Sequence, residues 1–222
     1  ELYDIEADPH ETHNLADSPE HRPILERFRN AQRQWGERTL DLGFMPEYEM
    51  HVRVPGAAPH EMARRGGQVF SHKRIRETLE LSRLGPKALP TLRERLADPD
   101  CAIRYWAILA LNQLGADARP AADALKEALA DPSADVRLAA AGALCRLDRA
   151  GEALQPLIAL LRHKDPWVRT RAAGALCEIG EQARPVADDM KPALKDKSYY
   201  VRGIVQYALN RMKQRGGNRK PR

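Results

Sequence analysis

Hydrophobic residues over most of the chain recur at spacings of three and four, which is the period of a helix with one buried face. The clearest run contains Ala139, Ala140, Ala143, Leu144 and Leu147. The pattern predicts a mostly α-helical protein built from amphipathic helices.

The helical pattern itself returns about every 33 residues. Arginines in similar settings mark it, at separations of 30, 33, 32 and 33 residues; they are Arg74, Arg104, Arg137, Arg169 and Arg202. An apolar residue stands twelve positions before each of the last four, and these are Leu92, Leu125, Leu157 and Met190. A unit of this size cannot bury its apolar face alone, so the repeats must stack on one another.

Each unit is predicted to be a pair of helices. The first helix starts near the repeat arginine and, in two units, ends at Gly115 or Gly180, because glycine adopts the left-handed conformation without a Cβ clash. The second helix is predicted to start around a proline, which the first turn tolerates; these are Pro90, Pro120, Pro156 and Pro185.

The turns and helices of this pattern resemble a known repeat family. The Asp-Pro-x-x-x-Val-Arg turn and the Ala-Gly-Ala-Leu helix are similar to HEAT repeats of the short bacterial type. The resemblance covers about residues 72–213 and implies an α-α superhelix, a HEAT-like solenoid, of four full units and a partial one.

The repeat arginines have acidic counterparts in the turns. Aspartates stand six residues before three of the last four repeat arginines, and they are Asp98, Asp131 and Asp196; the other turn has His163 there. We expect a structural ladder in which these aspartates pair along the stack with Arg104, Arg137, Arg169 and Arg202. Ligand binding by the arginines is the alternative.

A second set of basic residues recurs on the second helices. Arg93, Lys126 and Lys191 occupy equivalent positions, and Ile158 interrupts the series. The resemblance to HEAT-like solenoids implies that second helices line the concave face, where these residues would form a positive binding groove. A solvated surface without a ligand is the alternative.

The first residues of the chain follow another pattern. Residues 1–5 alternate between polar and apolar, which predicts a short strand. Ser18 and Pro19 predict a helix start, followed by an apolar face of Ile24, Phe28, Ala31 and Trp35. A lone strand is unstable, and no other strand is predicted, so its sheet is expected upstream of this chain.

Residues 1–16, with the sequence ELYDIEADPHETHNLA, resemble the closing segment of sulfatases of the alkaline-phosphatase superfamily. The resemblance implies a strand-plus-helix remnant of an α/β sulfatase C-terminal subdomain at 1–42. A linker at 43–71, the repeats at 72–213 and a basic disordered tail at 214–222 would follow. It also implies an upstream sulfatase catalytic domain as partner and a periplasmic or extracellular parent that uses Ca²⁺ and formylglycine.

The catalytic motif of that family is absent from this sequence. No Cys or Ser is followed two positions later by Pro, as the C/S-x-P-x-R motif requires. We therefore expect no catalytic residue, metal ligand or cofactor in this chain, and no sulfatase activity from the chain alone.

Charge divides the chain near residue 50. The net charge is +5, but residues 1–50 carry 5 basic against 12 acidic residues, and residues 51–222 carry 31 against 19. No apolar run is long enough for a membrane span. The basic part favours an acidic protein or a sulfated polymer as partner, with nucleic acid less favoured.

Two functional hypotheses follow from the sequence. In the first, the chain is the non-catalytic C-terminal part of a sulfatase whose solenoid is a docking module. In the second, it is an independent HEAT-repeat scaffold that binds an acidic protein or nucleic acid.

Overall fold

The computed structural model describes residues 1–56, 58–65 and 70–216, and this part of the chain is mostly helical and contains no strand. The helices before the repeats are α1 (Arg22–Thr39), α2 (Glu47–Arg53) and α3 (Pro59–Arg65). The first helices of the units are α4 (His72–Glu80), α6 (Cys101–Gln113), α8 (Ala134–Arg146), α10 (Pro166–Ile179) and α12 (Tyr199–Gly216). The second helices are α5 (Leu89–Arg95), α7 (Ala122–Glu127), α9 (Ala150–Leu160) and α11 (Ala187–Met190).

The units stack into two layers around a continuous apolar core. Each first helix packs on the next, from α4 through α6, α8 and α10 to α12, and the second helices pack beside them. The apolar residues twelve positions before the repeat arginines are fully buried, and these are Leu92, Leu125, Leu157 and Met190. Alanines make up nearly half of the remaining core, and their small side chains let the helices approach closely.

The ends of the first helices confirm the predicted glycine stops. Gly115 and Gly180 have φ angles of +56° and +65°, in the region that residues with a Cβ rarely adopt. In the third unit Asp148 takes this role, with φ of +64°. Asparagine and aspartate tolerate this conformation better than most residues, which explains how the unit keeps its turn without glycine.

The predicted starts of the second helices are correct in one unit and displaced in others. Pro90 lies in the first turn of α5, whereas Pro120 and Pro185 lie in 3₁₀ segments, Gly115–Ala121 and Gly180–Val186, that precede α7 and α11. The prediction is wrong for Pro156, which lies inside α9. The third unit lacks the 3₁₀ segment, so its second helix begins at Ala150, which is six residues before Pro156.

Three of the repeat arginines join their unit to the next one. The guanidinium of Arg104 donates from Nε and Nη2 to the two carboxylate oxygens of Asp131, at 2.6 and 2.8 Å. Arg169 binds Asp196 in the same way, at 2.7 and 2.9 Å. Arg74 pairs with Asp98. Each aspartate therefore lies in the turn that follows its arginine's unit.

The same arginines also fix their own turns. Arg104 Nη1 donates to the carbonyl oxygen of Asp98 at 2.7 Å, and Arg202 Nη1 donates to that of Asp196 at 2.6 Å. Arg137 donates to the carbonyl of Asp131 at 2.5 Å, but the next turn offers it His163 instead of an aspartate. Burial and the Arg137 guanidinium lower the pKa of His163, so this ring is neutral at pH 7 and supplies no counter-charge.

The predicted strand at residues 1–5 is wrong. The backbone N–H of Leu2 donates to Asn14 Oδ1 at 2.9 Å, and the N–H of Leu15 donates to the Leu2 carbonyl at 2.7 Å. The Asp4 carboxylate accepts from the N–H groups of Glu6 and Ala7, which closes a turn. Local hydrogen bonds therefore occupy backbone groups that a sheet would have paired.

Helix α1 turns its other side to the stack. It begins at Arg22 rather than Pro19, and its predicted apolar face is exposed, with Trp35 at 51%. Instead, Arg33 Nε lies 3.1 Å from Glu80 Oε1 of α4. Gly36 is buried so close to the His72 ring that a Cβ would lie 2.9 Å from it.

The segment between α1 and the repeats also contains ordered helices. Helices α2 and α3 lie within residues 43–71, the range predicted as linker. A small core joins Met45, Val54 and Met62 of this segment to Ile75 and Ile103 of the stack. The predicted tail at 214–222 lies outside the described residues from 217 onward.

The ion pair between units yields a prediction about stability. Replacing Arg104 by Ala leaves the buried Asp131 without its cation, and we expect the free energy of unfolding to fall by about 3 kcal/mol. The matched control is Arg119→Ala, which removes an exposed pair with Asp148 at 3.7 Å and is expected to change it by less than about 0.5 kcal/mol. Urea unfolding followed by circular dichroism measures both. Equal losses in the two variants would contradict a structural role for the Arg104 pair.

Candidate interaction surface

Helix α2 lies across the starts of three first helices. At its C-terminal end Arg53 pairs with Asp100, the N-cap residue of α6, and its Nη2 lies 3.0 Å from Cys101 Sγ. In the middle, the hydroxyl of Ser133, the N-cap residue of α8, donates to Glu49 Oε1 at 2.7 Å. A short segment from outside the repeats is thus bound on the surface of the stack.

The N-terminal end of α2 reaches the turn before α10. Tyr48 packs edge to face on His163, with 5.4 Å between ring centroids. Upstream of α2, the indole N–H of Trp106 donates to the Phe44 carbonyl at 2.5 Å. Because Tyr48 contacts the fourth unit and Arg53 contacts the second, α2 runs against the direction of the stack.

The sequence of α2 suits both its helix and its site. Glu47 and Glu49 lie in its first turn and His51 and Arg53 in its last, which matches the polarity of the helix dipole. Glu49 and Arg53 are four residues apart, so they share one face, and their side chains approach to 3.4 Å. That face carries the charged contacts with the stack.

The centre of the site contains buried charge. Asp135 is fully buried at the start of α8, and Arg171 of α10 pairs with it. Burial raises the pKa of Asp135, while the Arg171 guanidinium opposes that rise. The side chain of Glu49 is also buried, between α2 and the stack. This part of the stack therefore accommodates carboxylates at the interface of two units.

The thiol in this cluster is protonated at neutral pH. Burial, reinforced by the Glu49 side chain, raises the pKa of Cys101 to about 11. A protonated thiol is a poor nucleophile and a poor metal ligand. Within the described ranges, no group of three or more His, Cys, Asp or Glu side chains is arranged to hold a metal ion.

The predicted basic series lies on the other layer of helices. Arg93, Lys126 and Lys191 are all exposed on or next to the second helices. Lys126 Nζ lies 3.2 Å from Glu152 Oε2, and Lys191 Nζ lies 2.5 Å from Asp188 Oδ1, so two of the three already have carboxylate neighbours. Their role in binding stays a prediction.

Sequence reasoning missed Tyr48, Glu49 and Arg53, which lie in the range predicted as linker. One signal pointed towards them. Asp135 occupies a position where three of the other units have Ala102, Trp167 or Tyr200, and a buried aspartate there requires polar partners.

Comparison with known proteins identifies the repeats. A sequence profile described as HEAT repeats matches residues 74–144 and 122–210, which together exceed half of the chain. The chain belongs to the HEAT-repeat family. No curated protein matches the chain. In the part that the structure describes, no helix is both long and apolar enough to cross a membrane.

Three solved structures are among those with similarity to this HEAT-repeat protein. The complex of CpcE and CpcF of phycocyanin lyase from Nostoc sp. PCC7120 has 24% identity, with 59% of this chain and 85% of that chain covered and a TM-score of 0.47. An engineered protein has 16% identity, with 90% and 94% covered and a TM-score of 0.49. The designed armadillo repeat protein YIII(Dq.V1)4CPAF in complex with peptide (KR)4 has 15% identity, with 88% and 95% covered and a TM-score of 0.48.

These findings correct the assignment to a sulfatase. The family model that matches the chain describes HEAT repeats and not a sulfatase. The segment that carried the resemblance forms a turn instead of the expected strand. The assignment of residues 1–42 to a sulfatase subdomain is therefore wrong. The upstream catalytic partner, the Ca²⁺ and the formylglycine expected on its account lose their basis.

Docking of α2 can be followed through the thiol beneath it. With a pKa of about 11, Cys101 should react with iodoacetamide at pH 8 about 100-fold more slowly than an exposed cysteine. Replacing Glu49 by Ala removes both a contact of α2 and a charge that raises this pKa, so we expect alkylation to become at least about tenfold faster. Peptide mass spectrometry resolves Cys101 from the other thiols.

The matched control for this experiment is Glu47→Ala. Glu47 lies on the same helix but is exposed, so its removal should leave the rate of Cys101 alkylation unchanged. Equal rates in the two variants would show that Glu49 does not hold α2 on the stack.

Proposed function

We propose that this HEAT-repeat chain is an interaction scaffold that binds an acidic segment of another protein. The observation that supports this most directly is α2 itself. A seven-residue helix with an aromatic and two acidic side chains is held across three units, through Tyr48 on His163 and Glu49 on Ser133. The stack therefore has surface chemistry that suits such a segment.

The charges of the repeats favour an acidic partner. The edge that contacts α2 presents the N-termini of the first helices, where the helix dipole is positive. The repeat arginines lie near the same edge, and residues 51–222 carry 12 more basic than acidic residues. Complementary charge of this kind speeds association and selects among partners.

The preference for acidic proteins predicts a ranking that can be measured with the full chain. Fluorescent 15-residue peptides of net charge −5, 0 and +5 are titrated at about 150 mM salt, where long-range attraction is screened beyond about 8 Å. We expect the acidic peptides to bind at least about tenfold more tightly than the neutral ones, which corresponds to about 1.4 kcal/mol.

Competing polyanions are measured in the same assay. Generic double-stranded DNA and heparin are expected to bind more weakly than the acidic peptides at this salt concentration, because contacts with phosphate or sulfate groups depend steeply on salt. Tighter binding of DNA would favour the nucleic-acid function. Equal binding of all three peptide classes would refute the proposed preference.

A further inference from the structure

The last two units differ from the earlier ones at one position of the surface that contacts α2. Two residues before the repeat arginine, the second and third units have Ala102 and Asp135, which are both buried. The fourth and fifth have Trp167 and Tyr200, which are 54% and 68% exposed. Two large aromatic side chains thus lie largely exposed, one beside the N-terminal end of α2 and one in the unit beyond it.

A cation accompanies each of these aromatic residues. Five positions before the repeat arginine, the earlier turns have Pro99 and Pro132, and the last two have Lys164 and Lys197. Both lysines are exposed and line one hollow at the turn edge. The acidic residues of that hollow are Asp189 and Asp196, and Arg169 already binds Asp196.

The uncovered surface continues directly from the α2 interface. Trp167 and Arg171 line a small hollow together with Glu47, Tyr48 and His51, at the N-terminal end of α2. Helix α12 packs on α10 and carries Tyr200 in the equivalent register, with Tyr199 packed edge to face against it at 5.9 Å. The site where α2 binds therefore extends from the fourth unit, where Tyr48 packs on His163, to the fifth unit, and Trp167 and Tyr200 remain largely exposed there.

We propose that Trp167, Tyr200, Lys164 and Lys197 form the docking surface for an acidic, aromatic-bearing segment of another protein. The segment extends the line of α2, with apolar side chains against the two aromatic rings and carboxylates facing the two lysines. Buried aromatic contacts supply most of the binding energy in such interfaces, and the lysines select for negative charge. This inference rests on the proposed function and assigns its surface and partner chemistry.

The probe is a fluorescein-labelled peptide of three Glu-Tyr-Glu-Leu repeats, titrated against the full chain by fluorescence anisotropy. The double variant Trp167→Ala/Tyr200→Ala is expected to weaken its binding at least about tenfold. The matched control is Trp35→Ala, which removes a tryptophan of similar exposure on α1 and should leave the affinity unchanged. Because all three side chains are exposed, thermal melting by circular dichroism should show the same fold in each variant.

A second variant tests the charge requirement independently. Lys164→Glu/Lys197→Glu should weaken binding of the acidic peptide at least about tenfold and strengthen binding of a Lys-Tyr-Lys-Leu peptide, whereas Lys87→Glu, at an exposed lysine of the first unit, should do neither. Wild-type affinity in both double variants would overturn the proposed surface while leaving intact any preference for acidic peptides. Loss of that preference in the unaltered chain, or stronger binding of DNA, would instead refute the proposed function.

Discussion

The bidentate contact between a repeat arginine and the aspartate of the following turn sets the geometry on which the rest of the stack depends. A guanidinium has a fixed planar fork, so Arg104 can hold both oxygens of Asp131 and two backbone carbonyls of its own turn only when the two turns are in register. The apolar core between the layers is non-directional and leaves that register free to slide. The ion pairs therefore align the helix starts along one edge, and the surface that receives α2 is a product of that alignment.

The α2 site shows how a repetitive scaffold acquires a specific surface. The repeat positions that maintain the stack are nearly the same in each unit, whereas the position two residues before the arginine varies from Ala102 to Asp135, Trp167 and Tyr200. Asp135 is buried between Arg171 and α2, while the two aromatic residues remain exposed. The backbone geometry is repeated from unit to unit, and variation at this one position produces polar and apolar sites in succession along the same edge.

The periodic part of the structure could be predicted from the sequence, because each signal there is local. The spacing of the arginines, the left-handed glycines and the aspartates of the turns all lie within one repeat length, and the pairs Arg104–Asp131 and Arg169–Asp196 follow from stacking. The interaction surface could not be predicted in this way. Glu49 meets Ser133 across 84 residues, and no local spacing encodes a contact of that range.

The errors at the N-terminus have the same origin. Alternation over residues 1–5 is too short to distinguish a strand from a turn, and Asn14 and Asp4 decide the matter through side-chain hydrogen bonds. For α1, the spacing identifies which residues share a face. It does not say which face is covered, and Phe28 and Trp35 lie on the exposed one.

His163 stands where three other turns of the stack have an aspartate, and this changes how the third and fourth units are joined. At the boundary between α8 and α10, Arg137 faces an imidazole and not a carboxylate, and the ion pair that links these two helices is instead the one between Arg171 and Asp135. Tyr48 of α2 packs on that same imidazole, and Glu49 of α2 accepts from Ser133 of the third unit, so α2 supplies further contacts across this boundary. The third and fourth units are thus joined in part by a segment from outside the repeats, whereas the pairs of units on either side are joined by the arginines and aspartates of the repeats themselves.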